Sequence, residues 1–154
     1  MADTTVQRQA EAWVIEHGLP SHFPGMSFSG KKLPLTWGGY FAFDAVSQDQ
    51  SMVVAISTSA ARTASGRLAT AKFQKLKTDA LYLLHLIADA ERLMVFTDVT
   101  MHAYFKKAAD DGRFPPPESI KLLHIPLPAA LQAELLVSQK HASRETSPWL
   151  RTGN

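Results

Sequence analysis

Apolar residues recur three and four positions apart in several stretches of the chain, a spacing that predicts amphipathic helices. The predicted helices cover residues 5–17, 66–90, 101–110 and 128–141. The first is expected to end at Gly18, because glycine commonly terminates helices. The second has the clearest pattern, with apolar positions at Ala69, Phe73, Leu76, Ala80, Leu83, Leu84 and Ile87.

Short runs of apolar, β-branched and aromatic residues predict strands. The predicted strands cover residues 36–47, 52–58, 93–97 and 120–125. A polar turn, Gln48-Asp49-Gln50, predicts that the first two strands form an antiparallel hairpin. Leu93–Thr97 is wholly apolar, which favours a position in the middle of a covered sheet. Residues 19–34 are rich in glycine, proline and serine and are expected to be irregular.

The resulting order, α-β-β-α-β-α-β-α, predicts an α/β protein with a mixed central sheet flanked by helices. The 154 residues are expected to form a single domain, 1–154. Residues 142–154, which contain Trp149, are expected to be a loosely ordered tail.

Positive charge is concentrated in one segment. Residues 51–78 contain five Lys and Arg residues and no Asp or Glu, although the net charge of the whole chain is only +2. The other segments have more acids than bases, with five against three in residues 1–50 and nine against eight in residues 79–154. The excess predicts a local surface for anions, such as DNA or RNA, and argues against a protein that packages DNA.

Composition also bounds the class of protein. The chain has no cysteine, which excludes disulfides, thiol catalysis and thiolate metal sites. The first residues lack the basic start and apolar run of a signal peptide, and no run approaches the ~20 apolar residues of a membrane span. We expect a cytoplasmic protein with no membrane partner.

One acid, Asp44, interrupts the apolar strand Tyr40–Val46. Regular alternation would place Phe41, Phe43 and Ala45 on one face of the sheet, and Ala42, Asp44 and Val46 on the other. An acid on a strand, followed by a second strand and a basic helix, is an arrangement suited to phosphodiester chemistry. The other interpretation of Asp44 is an acid that pairs with a nearby Lys or Arg or meets solvent.

The segment between the second strand and the long helix is rich in hydroxyl and basic groups. The candidate phosphate-binding residues are Ser57, Thr58, Arg62 and Arg67. Helix N-termini bind anions through free N–H groups, so a phosphate is predicted at this loop. The alternative is a surface loop whose Ser and Thr side chains cap the helix. Lys72 and Lys75 are candidates for phosphate contact, or Lys75 pairs with Asp79 four residues later.

The order of elements, with Phe43-Asp44 on the first core strand, resembles the PD-(D/E)xK restriction-endonuclease-like superfamily. In that family a strand carries an Asp, the next carries Glu/Asp-x-Lys, and a helix and a further strand follow. The resemblance would cover residues 5–126. It implies a divergent metal-dependent nuclease, or an inactive nuclease-like binder, with Asp44 as a ligand of Mg²⁺ or Mn²⁺.

The chain departs from that family at Ile56-Ser57-Thr58, where the acid-x-Lys belongs and neither group is present. Lys72 or Lys75 would then supply the catalytic cation, and Glu11 or Glu16 the second oxygen ligand. Two alternatives of other classes remain. The first is a non-enzymatic, oligomeric interaction module, and the second is a protein that binds a small phosphate ligand through the Ser/Thr/Arg loop. Exposure of Trp37 and Tyr40 would indicate a binding surface.

Overall fold

The computed structural model describes residues 5–146, with residues 141–146 described by their backbone alone. The strands are β1 Phe28–Pro34, β2 Tyr40–Ser47, β3 Met52–Ser57, β4 Glu91–Phe96 and β5 Lys121–His124. The helices are α1 Thr5–Trp13, α2 Leu19–His22, α3 Thr70–Leu84, α4 Val99–Asp110 and α5 Ala129–Thr146. A π-helical segment, Val14–Gly18, joins α1 to α2.

The five strands form one sheet in the order β1-β2-β3-β4-β5. β2 runs antiparallel to β1 and β3, whereas β3, β4 and β5 are mutually parallel and are connected through α3 and α4. Helices α3 and α4 pack on one face of the sheet, and α1, α2 and α5 pack on the other. The prediction of a mixed sheet flanked by helices is therefore confirmed, as is the β2–β3 hairpin.

Strand β1 lies in the segment that was expected to be irregular, so the predicted order lacks one strand. It is an edge strand, paired only with β2, and it buries Phe28 and Leu33. Edge strands tolerate glycine, lysine and proline, so the composition of residues 28–34 did not indicate a strand. The predicted strand 36–47 is correspondingly shorter, because residues 35–39 form the turn between β1 and β2.

The prediction that Gly18 ends the first helix is wrong. Gly18 has helical backbone angles, and the chain continues through the π-helical segment into α2. A Cβ at Gly18 would lie 3.0 Å from Ile125 Cγ2 and 3.1 Å from the Trp13 ring. The missing side chain therefore serves close packing against Ile125, which directly follows β5. Pro20 falls in the first turn of α2.

Helix α3 is shorter than its apolar pattern predicts. Before it, Gly66 turns the chain at φ +85°, and the Ala69 N–H donates to the Ala61 carbonyl at 2.9 Å. These contacts close a separate loop over residues 61–69. At the other end Arg92 donates to four carbonyls, those of Leu83, Leu86, Ala88 and Ala90. Leu84 and Ile87, which belong to the predicted apolar pattern, are exposed.

Helix α5 continues beyond the predicted end at His141. Residues 142–146, assigned to a loose tail, form its last turns. The sequence has no glycine or proline between Pro128 and Pro148, so nothing local interrupts the helix. The rest of the predicted tail, including Trp149, lies outside the described residues. Within residues 5–146, no helix is long and apolar enough to cross a membrane.

Candidate functional site

The sheet opens at Asp44. β2 and β3 pair at Ala45↔Val54 and Val46↔Val53, and the regular pairing of the two strands ends at Ala45. Next to this pairing, the Asp44 side chain replaces a backbone carbonyl as the hydrogen-bond acceptor for β3. Its Oδ2 accepts the Ile56 backbone N–H at 2.8 Å. The carboxylate is thereby held at the carboxyl end of β3.

A β-bulge accompanies this opening. Against β1, Ser29 pairs with Val46 and Lys31 pairs with Phe43, so β2 carries one extra residue. Phe43 and Val46 both pack with α3, whereas Ala45 packs on the opposite face. The predicted alternation, with Ala45 beside Phe43 and Val46 beside Asp44, is therefore wrong beyond Asp44, because a bulge shifts the phase of the strand.

Helix α1 brings Glu11 to the same place. Burial, and then the negative charge of Asp44, raise the pKa of Glu11 above its usual value. Lys75 acts in the opposite direction, as does a 3.5 Å hydrogen bond donated by the Gln7 amide. Asp44 of β2 thus lies close enough to Glu11 of α1 to disfavour the charge on Glu11.

Helix α3 supplies the positive charge from the other face of the sheet. Lys75 Nζ lies 3.1 Å from Asp79 Oδ2, which confirms the predicted pair. Burial opposes the charge on Lys75, but Asp79, and then Asp44 and Glu11, outweigh it and raise the pKa of Lys75. For Asp79, whose side chain is only 10% exposed, burial dominates and its pKa is raised despite the lysine. The surroundings therefore favour the charged form of Lys75 and disfavour the charged form of Asp79.

The end of β3 forms the rest of the site. Ser57 and Thr58 are buried, and the Thr58 carbonyl accepts a 3.0 Å hydrogen bond from the Gln139 amide of α5. The Ala61 N–H donates to Thr100 Oγ1 of α4 at 3.1 Å. The chain leaving β3 is thus fixed by helices on both faces of the sheet.

These elements enclose a small pocket of about 30 Å³ at the carboxyl end of β3. Its lining residues are Gln7, Glu11, Ile56, Ser57, Thr58, Ser59, Lys72, Lys75 and Leu76. The pocket combines a carboxylate, two ammonium groups and hydroxyl groups, with Asp44 hydrogen-bonded to one of its lining residues. The ammonium groups can attract an anion at the pocket mouth, and the carboxylate is a ligand type that divalent cations prefer.

Several residues singled out in the sequence do not join this pocket. Glu16 is exposed and lies 3.9 Å from His17, so it does not share the environment of Glu11. Arg62 and Arg67 are exposed on the separate loop of residues 61–69, where Arg62 Nη1 donates to the Gly66 carbonyl at 2.8 Å. Helix α3 begins at Thr70, directly after that loop as predicted, but among the described residues no Ser or Thr side chain caps its N-terminus.

The contribution of Asp79 to the charges around the pocket was not predicted from the sequence. Its spacing from Lys75 was recognised, but its burial and its effect on the charges of the pocket were not. The signal was present, because Asp79 ends the acid-free segment on an apolar helix face next to Ala80.

Trp37 and Tyr40 are 53% and 70% exposed, which meets the condition set for a binding surface. The Trp37 ring lies against Tyr82 of α3 and against His85, which directly follows α3, with ring centroids 5.7 and 4.9 Å away. Tyr40 extends from the start of β2, on the strand that carries Asp44.

The donor set fits a divalent cation that keeps several water ligands. One Asp44 oxygen accepts the Ile56 N–H, and Glu11 lies within electrostatic reach of Asp44. A cation between the two would relieve their mutual repulsion. Mg²⁺ commonly binds through one or two carboxylates and water. In keeping with so small a set, residues 5–146 contain no group of three or more His, Cys, Asp or Glu side chains placed to hold a metal.

Comparison with protein-family models, with curated proteins and with solved structures finds no match for this chain.

Proposed function

We propose that the protein is a divergent, metal-dependent nuclease of the restriction-endonuclease-like class, acting on phosphodiester bonds of DNA or RNA. One observation carries the proposal. Glu11 of α1, Asp44 of β2 and Lys75 of α3 come from three elements and interact electrostatically at one pocket. Buried acids with perturbed pKa values beside a lysine are typical of functional sites.

The position of the site also supports the proposal. The pocket lies at the carboxyl end of β3, and ligands of α/β sheets usually bind outside the carboxyl ends of parallel strands. The element order agrees with the family described above, since the Asp-bearing strand is followed by a second strand, a helix and a further strand.

Each group then has a distinct role. Asp44 and Glu11 would hold Mg²⁺ or Mn²⁺, which when bound polarises the phosphate and acidifies the attacking water. Lys75, oriented by Asp79, stabilises negative charge on the phosphate, and Lys72 assists from the preceding turn of α3. A lysine on the helix thus takes the place of the lysine missing from β3.

The remaining candidates act around this centre. Ser57 and Thr58 shape the pocket wall beside the phosphate. Arg62 and Arg67 contact the nucleic-acid backbone farther from the cleaved bond, because they are exposed on the neighbouring loop.

The test is cleavage of single- and double-stranded DNA and RNA with Mg²⁺ or Mn²⁺, comparing the wild type with Asp44→Asn. Asparagine keeps an oxygen that can accept the Ile56 N–H, so the fold should survive while the negative charge is lost. Asp49→Asn, at an exposed turn, is the matched control. Cleavage that needs the metal, disappears in Asp44→Asn and persists in Asp49→Asn is the expected result.

Two other outcomes would contradict the proposal. A folded wild type that binds these substrates but cleaves none of them would identify an inactive nuclease-like binder. Cleavage that persists in Asp44→Asn would place the chemistry elsewhere.

A second candidate is the oligomeric interaction module, favoured by exposed apolar side chains around the C-terminal end of α3. These are Trp37, Leu81, Leu84 and Ile87. This candidate predicts a dimer or larger assembly in light scattering, independent of Mg²⁺ and weakened by Leu84→Ser. A monomeric wild type would count against it.

A further inference from the structure

The β1–β2 hairpin presents a solvent-facing side that the proposed reaction does not use. Lys32 pairs with Ala42 and Pro34 pairs with Tyr40. Directly opposed residues share a face, as do alternate residues of one strand. Lys32, Ala42 and Tyr40 therefore lie on one face of the hairpin, and all three are exposed.

The other side of the hairpin is occupied by the core. Phe41 stacks on Tyr82 of α3 with ring centroids 4.1 Å apart, and Phe43 is buried. This packing fixes the backbone of β2 and so fixes the direction of Tyr40. Among the described side chains, the Tyr40 ring has no aromatic neighbour. The Tyr40 side chain is 70% exposed, so a face of its ring is accessible.

The same face leads to Asp44. Tyr40 and Ala42 are alternate residues of β2, and Asp44 follows two residues later at the bulge. Four residues of extended strand span about 13 Å, so the ring lies within a few nucleotides of the proposed cleavage centre.

Charge on this hairpin is complementary to a polyanion. The sequence contains no Asp or Glu between Glu16 and Asp44, and the hairpin carries Lys31 and Lys32, both exposed. The segment after β3, between Asp49 and Asp79, is likewise free of acids. The acids of the site are thus bordered in the sequence by two segments whose only charged groups are basic.

We propose that the hairpin face formed by Lys32, Ala42 and Tyr40 binds single-stranded nucleic acid, with a base stacked on Tyr40 and the backbone beside Lys32. The inference rests on the proposed function and specifies its substrate as a single strand. Base stacking on exposed aromatic rings tolerates any sequence and needs an accessible base face. A duplex hides its base faces within its own stack, so Tyr40 discriminates against it.

The experiment measures binding of fluorescent 20-nucleotide strands by anisotropy in EDTA, so that metal-dependent cleavage does not interfere. The probes are single-stranded DNA, single-stranded RNA and a DNA duplex, all at one salt concentration. We expect both single strands to bind at least about 10-fold more tightly than the duplex, and Tyr40→Ala to weaken single-strand binding about 10-fold.

Matched variants separate stacking from charge. Tyr40→Phe should stay within about twofold of the wild type, because stacking needs the ring and not the hydroxyl. Lys32→Ala should weaken all strands and reduce the salt dependence by about one charge. A strand with abasic positions should bind the wild type no better than the intact strand binds Tyr40→Ala.

Equal binding of duplex and single strands, or unchanged binding by Tyr40→Ala, would overturn this inference. Neither result bears on the nuclease proposal, which depends on cleavage and on Asp44. Conversely, single-strand binding that depends on Tyr40 in a protein without cleavage activity would support the surface and reject the nuclease. If RNA alone binds, the substrate is RNA and the DNA arm of the proposal is wrong.

Discussion

The two ends of the parallel strands carry two very different polar pockets. At the amino ends of β4 and β5 lies an open cleft of about 400 Å³, and at the carboxyl end of β3 lies the pocket of about 30 Å³. In the large cleft the two basic side chains Arg92 and Lys121 have local partners, whereas the acids Asp89 and Glu118 are exposed. Lys121 pairs with Glu91 at 2.9 Å, and Arg92 is occupied by four backbone carbonyls.

In the small pocket the charges of the acids are not fully compensated. Glu11 and Asp79 both have raised pKa values because they are buried near other acids, and Lys75 is shared among three carboxylates. Such an arrangement lowers stability and is retained where function requires it. The difference supports the choice of the smaller pocket as the proposed site, on the charges of its residues rather than on its size.

The largest expected effect is on catalysis at the small pocket. Glu11→Gln removes a proposed metal ligand while preserving shape, and we expect cleavage to fall at least about 100-fold, since even outer-shell partners of a metal contribute 10–100-fold. Initial cleavage rates across a Mg²⁺ titration measure the loss. Glu16→Gln, five residues later on an exposed surface, is the matched control and should keep the wild-type rate. Equal losses in both variants would show that the pocket does not distinguish the two acids.

The largest expected effect at the other end is on stability. Arg92→Ala leaves the carbonyls of Leu83 and of three residues in the segment between α3 and β4 without their charged donor, and we expect a loss of about 3 kcal/mol. Urea unfolding followed by circular dichroism measures it. Arg113→Ala is the control, because Arg113 is exposed and its contact with Asp111 is 3.3 Å long. A shift below about 1 kcal/mol for Arg92→Ala would mean that water replaces the guanidinium easily.

The sequence was informative where local pattern and tertiary environment agree. The β2–β3 hairpin, the apolar strand β4 and the helical positions of Lys72 and Lys75 follow from alternation and periodicity, which depend on neighbouring residues. Asp44 and Glu11 could be named as candidate acids because few acids precede the basic segment.

What the sequence could not supply depends on contacts distant along the chain. Gly18 has the composition signal of a helix end, yet Ile125, more than 100 residues later, explains its missing side chain. The bulge at Asp44 is visible only through the register with β1, a strand whose edge position hid it. Whether Lys75 and Asp79 were a solvated surface pair or part of a site could be decided only by the approach of α1 from the other face.

A smaller effect is expected on the pH dependence of stability, through Glu11 at the small pocket. Glu11 has a pKa above its usual 4.5 in the folded protein, so the folded state holds this proton more tightly than the unfolded state. Stability therefore falls as pH rises from the ordinary value through the raised one. Glu11→Gln removes this cost, and we expect it to be more stable than the wild type near pH 7 by a few tenths of a kcal/mol, because the half-exposed group is screened by solvent.

The measurement is the urea midpoint of both proteins from pH 4 to pH 8. The advantage of Glu11→Gln should shrink towards pH 4, where the wild-type carboxyl is protonated in both states. A variant that lost activity while gaining stability would identify Glu11 as a residue kept for function. A loss of stability near pH 7 would instead show that the Glu11 carboxylate is favourably paired in the folded protein.

The smallest effect is expected at the large cleft. Lys121→Met breaks the ion pair with Glu91, whose partners are 55% and 47% exposed, so we expect a change within about 0.5 kcal/mol that fades at high salt. Cleavage should be unchanged, because the cleft lies at the opposite ends of the parallel strands from Asp44. If Lys121→Met lowered cleavage without lowering stability, the large cleft would take part in substrate binding. The assignment of the proposed reaction to the small pocket alone would then fail.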